Sequence, residues 1–176
     1  LLRALLEKGA GKRLPGKVAL GLLFDSAAAT MAHEAGLGAS ITTAIGTAVP
    51  TFTGQLSDAP VQGTFKVKAL SDGKVTLKGP MMTGSRITLG GCALLEIEGV
   101  LVAVASGKKQ LLDRELFRML GVHPETMKVL VVKSSNHFRA DFTPIASHIL
   151  VAKAAGPMAA DPADLPWTKL AKTTRT

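Results

Sequence analysis

The sequence contains no tyrosine, one tryptophan and one cysteine, and only 4% of its 176 residues are aromatic. So few rings leave scarce stacking platforms for nucleic-acid bases. The core must be assembled from Val, Leu, Ile, Ala and Met. The lone cysteine, Cys92, excludes an internal disulfide and any multi-cysteine zinc site. It lies in an apolar stretch without a nearby cation to lower its pKa, which predicts an inert buried thiol and favours a reducing, cytoplasmic compartment. No apolar run reaches the roughly 18 residues needed to span a bilayer, and LLRALLEKGAGKR lacks the order of a signal peptide, so no membrane role is expected.

Several catalytic signatures are missing as well. The four histidines, at 33, 123, 137 and 148, are dispersed. His33-Glu34 begins like H-E-x-x-H, but position 37 is Leu, so the two-imidazole helical face that grips zinc is not formed. His33 reads as a helix-surface residue, and His123 and His148 as structural or solvated side chains. There is no G-x-S-x-G elbow, since Gly84-Ser85 lacks the second glycine. Gly36-Leu37-Gly38 has no glycine at 41, and Ala10-Gly11-Lys12 lacks the upstream half of a P-loop. These residues predict no metal ligands and no nucleotide site.

What is abundant is positive charge, a formal +8. The basic residues are spread out as Lys12/Arg13, Lys66/Lys68, Lys108/Lys109 and Lys169/Lys172, with no run of five and no aromatic interleaving. That distribution predicts a solvated basic surface rather than a nucleic-acid groove. At this length one domain of ordinary proportions is expected. The chain opens at Leu1 directly on an amphipathic pattern, Leu1, Leu2, Leu5 and Leu6 against Arg3, Glu7 and Lys8, which points to a preceding segment.

Hydrophobic patterning predicts an α/β fold: a mixed sheet with parallel-type buried strands, an antiparallel β-meander in the middle and flanking helices. Val18 to Asp25 is a nearly continuous apolar run, the mark of a strand covered on both faces. Asp25-Ser26 offers a cap to an Ala-rich helix closed by Gly36, and Ala39 to Ile45 is β-branched, so the opening reads as β-α-β. Thr64 to Leu70 and Lys74 to Gly79 alternate across Ser71-Asp72-Gly73 and predict a hairpin. Arg86 to Leu89 and Ala93 to Ser106, turning at Glu98-Gly99, continue the meander. Leu111 to Leu120 predicts a helix stopped by Gly121, and Val129 to Val132 a second buried strand. A cap at Ser-Ser-Asn then opens a helix bearing Phe138, Phe142 and Ile145, and His148 to Ala152 is a candidate last strand. Beyond it the sequence is Pro-, Gly- and Ala-rich and then polar.

The densest constellation is KSSNHFRADF, Lys133 to Phe142, where a strand runs out and a helix begins. Free N–H groups at a helix N-terminus attract anions, and Lys133, His137 and Arg139 add positive charge around a cap at Asn136. Such an opening could hold a carboxylate or polarise a carbonyl. Equally, Asn136 is an ordinary cap, the phenylalanines are core and the charges face water.

The segment from Lys108 to Ala146 resembles the carboxy-terminal domain of the MlrC-like (microcystinase C) family. The resemblance is carried by Q-x-x-D (Gln110, Asp113), the turn Gly121-Val122-His123-Pro124, and K-S-x-x-H-F-R-A-x-F-x-P-I-A from Lys133. Agreement extends to LLRALLEKGA, SDGK and GPMMTGSRITLGGCALLEIEGVLVAV. The resemblance implies a domain over residues 1–158, an extended surface tail over 159–176, and an amino-terminal domain outside this chain that holds zinc. It also implies a metallopeptidase or amidohydrolase acting on a peptide or amide substrate, with this domain covering the cleft, inactive by itself and able to form a homo-oligomer. Lys133, Ser134, Asn136, His137 and Arg139 are the expected substrate or oxyanion contacts. The competing expectation is a structural or dimerisation domain that touches no substrate.

Overall fold

The computed structural model describes residues 1–154, 156–159, 161–171 and 173–174. The chain divides into two compact units, Leu1–Gly46 with Val61–Ile149, and Thr47–Pro60 with Leu150–Thr176. The first holds a six-stranded mixed sheet, a two-stranded ribbon and the helices. The fold is therefore mixed α/β, as the patterning predicts.

Two short helices, α1 (Leu2–Glu7) and α2 (Ala10–Arg13), lead into β1 (Val18–Phe24). β1 pairs in parallel with β7 (Val100–Ala105) on one side and β8 (Val129–Val132) on the other. That interior position explains its unbroken apolar run: Val18 and Leu20 enter one core, Ala19 and Leu22 the core on the opposite face. α3 (Ser26–Ala35) starts where expected, with the Asp25 carboxylate accepting from Ala28 N at 3.0 Å. The other Asp25 oxygen accepts from Gly46 N at 3.0 Å and ties the helix start to the end of β2 (Ser40–Ile45). Ala28, Ala29 and Ala32 are buried, their small side chains letting α3 lie close over the sheet.

The remaining strands are β3 (Val61–Ser71), β4 (Lys74–Thr76), β5 (Arg86–Thr88) and β6 (Cys92–Ile97). The sheet order is β2-β3-β6-β7-β1-β8. β2 is thus an outer strand, antiparallel to β3 and remote from β1, so the expected β-α-β opening is not a parallel unit. The expected hairpin across Ser71-Asp72-Gly73 also fails. The last residues of β3, Lys66 to Ser71, pair with β6, and β4 pairs instead with β5 in the separate ribbon. The local turn chemistry is present all the same, with Asp72 accepting from Lys74 N at 3.1 Å and Gly73 at φ 72°.

The β6–β7 hairpin is as expected. Ile97 faces Val100, leaving Glu98 (φ 47°) and Gly99 (φ 78°) as a two-residue turn of the I′ kind, whose twist matches the strands. Gly11 lies against this turn: a Cβ there would sit 2.3 Å from Glu98 O.

On the second face of the sheet, Leu111, Leu116, Phe117 and Phe142 pack on Ala19, Leu22 and Ala103. Full burial of a ring such as Phe117 contributes about 2–3 kcal/mol. The helix expected over Leu111 to Leu120 shortens to α4 (Glu115–Arg118). Leu111 is instead drawn into an extended contact, its N–H donating to Lys133 O at 3.1 Å, and the helix starts only after Asp113. Gly121, at φ 75°, stops it as predicted. β8 is an outer strand and only half-buried, not a fully covered one.

In the second unit, Pro50 bridges Leu56 and Phe52 N donates to Gly156 O at 3.3 Å. Lys153 bridges Asp161 and Asp164, and Trp167 Nε1 donates to Pro162 O at 2.7 Å. The candidate strand at His148 to Ala152 does not form, and Leu150 stands 92% exposed, with no sheet edge recruiting the segment. No helix among the described residues is long and apolar enough to cross a membrane.

Candidate functional site

β1, β7 and β8 run parallel, so their carboxyl ends share one end of the sheet. In open α/β sheets ligands favour that end. Three segments emerge there: Asp25 at the start of α3, Ser106 to Gln110 after β7, and Lys133 to His137 after β8. Lys133 is fixed through its backbone, its N–H donating to Gly21 O at 2.7 Å and its carbonyl accepting from Leu111 N. Gly21 itself leaves room for its neighbours in the second core, because a Cβ there would lie 2.9 Å from Ala103 Cβ and 3.2 Å from the Phe117 ring.

Within the loop, Gln110 gathers two of the expected residues. Its Oε1 accepts from Ser134 Oγ at 3.1 Å and lies 2.9 Å from His137 Nδ1. Lys133, Asn136, His137 and Arg139 are solvent-exposed. The Arg139 guanidinium lies 5.3 Å from the Phe138 ring centre, and upstream Lys108 lies 4.9 Å from that of Phe24. Both are cation–π distances that steady a long side chain without removing its charge from water. Sequence reading missed the part played by Gln110, whose partners lie 24 and 27 positions downstream.

The helix-terminus premise is corrected. α5 (Arg139–Phe142) has four residues and begins after Phe138, not at Asn136, and no side chain caps it. Asn136 contributes its carbonyl, which accepts from Arg139 N, and Phe138 O accepts from Asp141 N and Phe142 N. Those N–H groups are therefore engaged within the turn, and positive character at the loop comes from Lys133 and Arg139. A helix this short also has little dipole to offer.

Beyond the loop, two carboxylates unremarked as a pair in the sequence are buried, Asp113 (1% exposed) and Asp141 (4%). Asp113 accepts from Gly79 N at 2.6 Å and Glu115 N at 2.9 Å. Asp141 accepts from Arg114 N at 2.6 Å and Nε at 3.0 Å. Gly79 is required between them, since a Cβ there would come within 2.9 Å of both carboxyl groups. Arg114 also pairs with Glu125, and Arg118 with Glu115 and Glu125. Burial pushes the Glu115 carboxyl upward, but hydrogen bonds from Arg118 and Lys78 outweigh it and hold the pKa below the ordinary value. At Glu125 burial is likewise outweighed, by its own backbone and by Arg118 and Arg114, and the pKa is lowered.

This arrangement does not fit zinc, which takes four N, S or O ligands in a tetrahedron. The two buried carboxylates are committed to backbone N–H groups and Arg114. Among the described residues no three His, Cys, Asp or Glu side chains come together as a metal-holding group. His33 lies on the exposed surface of α3, as expected, with Nε2 3.0 Å from Cys92 O. His123 precedes the turn at Pro124–Thr126 and His148 is exposed. Cys92 is fully buried, and burial, aided by the charge of Asp72, pushes its thiol up to about 11, in keeping with an inert thiol. A shallow hollow of about 240 Å³ lies on the β4–β5 ribbon, between Lys74–Thr76 and Arg86–Thr88, away from the loop's chemistry.

A sequence profile of the MlrC C-terminus matches residues 1–169. The chain belongs to the MlrC C-terminus family. It is 31% identical over 123 residues to microcystinase C of a Sphingomonas species, a match covering 70% of this chain and 23% of that protein. It also superposes on a crystal structure from Mesorhizobium sp. BNC1, provisionally described as a metallopeptidase, with a TM-score of 0.74 and 28% identity. That match covers 93% of this chain and 32% of the other. This MlrC C-terminus chain thus spans a quarter to a third of the relatives it matches.

Proposed function

We propose that the chain serves as the carboxy-terminal domain of a zinc-dependent metallopeptidase or amidohydrolase. It covers the active-site cleft and contributes substrate contacts from the Lys133–Arg139 loop. The zinc, in this reading, is held by an amino-terminal domain of the same polypeptide, and the present chain has no hydrolytic activity alone. Both relatives are named as hydrolytic enzymes, which supports the reaction class.

The observation that carries the loop's role is the convergence of Ser134 and His137 on Gln110 at the carboxyl end of β8. An exposed imidazole held at a fixed orientation, with Lys133 and Arg139 beside it in sequence, suits a polar amide or a peptide carboxylate. These residues bind and orient; no step of bond cleavage is assigned to them. Replacing His137 or Lys133 with Ala in the intact polypeptide is expected to lower kcat/KM about tenfold or more, the size of one lost hydrogen bond or charge contact. Unchanged efficiency in a folded, metal-loaded variant would favour a domain that only packs or dimerises.

A further inference from the structure

Resting on that reading, we infer that Gln110 is a positioning residue. It locks His137 in the Nδ1–H tautomer and so presents Nε2 outward as an acceptor for an amide N–H of the substrate.

An amide oxygen can only accept. Gln110 Oε1 receives the Ser134 hydroxyl at 3.1 Å and stands 2.9 Å from His137 Nδ1, a pairing that is favourable when Nδ1 carries the hydrogen. In a neutral imidazole the hydrogen bond at one nitrogen fixes the role of the other, and Nε2 is left with a lone pair. His137 is exposed, and among the described residues its Nε2 meets no hydrogen-bond partner. Gln110 is itself held in place, since Leu111, the next residue, is buried and its N–H is bound to Lys133 O.

Charge then narrows the ligand. The charged neighbours in the two segments that form the site are all cations: Lys108 and Lys109 beside Gln110, Lys133 and Arg139 beside His137. An ammonium donor would be repelled by them, whereas a neutral amide N–H would not. The nearby carboxylates are all engaged: Asp113 and Asp141 are buried on backbone N–H groups and Arg114, and Asp25, at the same end of the sheet, accepts from Ala28 N and Gly46 N.

The test uses the intact polypeptide labelled with 15N-histidine, with His137 assigned by difference against His137→Ala. The expected ring spectrum is Nδ1–H in the wild type and a shift toward Nε2–H in Gln110→Leu. An Nε2–H wild type, or a tautomer unmoved by Gln110→Leu, would overturn the role of Gln110. On a linear peptide that the enzyme cleaves, Gln110→Leu should lower kcat/KM about tenfold, as one lost hydrogen bond would. Gln110→Glu, which still accepts from Nδ1–H, should restore it, and equal loss in both variants counts against the proposal. Analogues of the peptide N-methylated at one backbone nitrogen each test the N–H contact. One should lose about tenfold with the wild type and nothing further with His137→Ala; a penalty that persists in the variant refutes the contact. Hydrolysis unchanged in His137→Ala overturns the substrate reading and the N–H contact with it, while the tautomer spectrum still decides the part played by Gln110.

Discussion

Asp141→Ala should destabilise this chain by about 3 kcal/mol. The Asp141 side chain is 5% exposed and its carboxylate takes Arg114 N, Arg114 Nε and Arg114 Nη2 at 2.6–3.0 Å. Removing one partner of a buried pair costs about 3–5 kcal/mol because the other charge is left without compensation. Here the low end applies, for Arg114 is 25% exposed and keeps Glu125. Against that, its backbone N–H loses its acceptor. Asp141→Asn keeps an oxygen for that N–H and gives up the charge, so about half the loss is expected. In urea unfolding followed by circular dichroism, Asp141→Ala should lower the midpoint by about 1.5 M for a slope near 2 kcal/mol/M, and Tm by about 6–12 °C. Asp141 follows the Lys133–Arg139 loop by two residues and ties that end of it to Arg114, so the same substitution should speed hydrogen exchange in the loop. A loss below about 1 kcal/mol, or loop exchange unaltered, would refute the claim that this pair anchors the loop.

Gly11→Ala should cost about 3 kcal/mol or block folding, since its Cβ would sit 2.3 Å from Glu98 O and 2.7 Å from Val100 N, both backbone atoms; thermal melts decide this. Glu98→Asn should stabilise by about 0.5–1 kcal/mol in the same assay, because Asn tolerates positive φ better than Glu and the exposed ion pair to Lys12 contributes little. Cys92 should resist alkylation in the native state at pH 8 and react on unfolding. Its folded pKa lies above the ordinary 9.0, so the folded state holds a proton that the unfolded state releases first, and stability should fall as pH rises from 9.0 toward about 11. Glu115 and Glu125 have lowered pKa values, so their contribution is present above the ordinary 4.5 and lost as pH falls through the folded values. The double Gln variant should flatten that acid limb in a pH series of melts.

The parts of the fold readable from sequence are those fixed by neighbours along the chain. β1 announced its interior place by an apolar run, α3 by Asp25 and Gly36, and the β6–β7 hairpin by Glu98-Gly99 between two apolar segments. Pairing between distant strands was not readable. Asp72-Gly73 makes a real turn, yet the last residues of β3 pair with β6 and β4 pairs with β5, a choice that no neighbouring residue signals. Leu112 has the spacing of a helical face with Leu116, Met119 and Leu120, but the tie from Leu111 N to Lys133 O keeps the start of that segment out of the helix. The loop after β8 stood out as a candidate because charge and capping residues cluster there in sequence. Asn136 was misread as a cap because that cluster does not reveal where the helix begins. Gln110 and the Asp113/Asp141 pair act across 24 or more positions, a distance over which composition and periodicity carry no signal.

In the proposed division of labour, this domain supplies contacts while the metal and the hydrolysis belong to the rest of the polypeptide. The most direct test measures zinc content and peptide hydrolysis of the 176-residue chain beside the intact polypeptide. Zinc and activity are expected in the intact protein and neither in the chain alone. Tight stoichiometric zinc in the chain alone, or hydrolysis by it, would overturn that division.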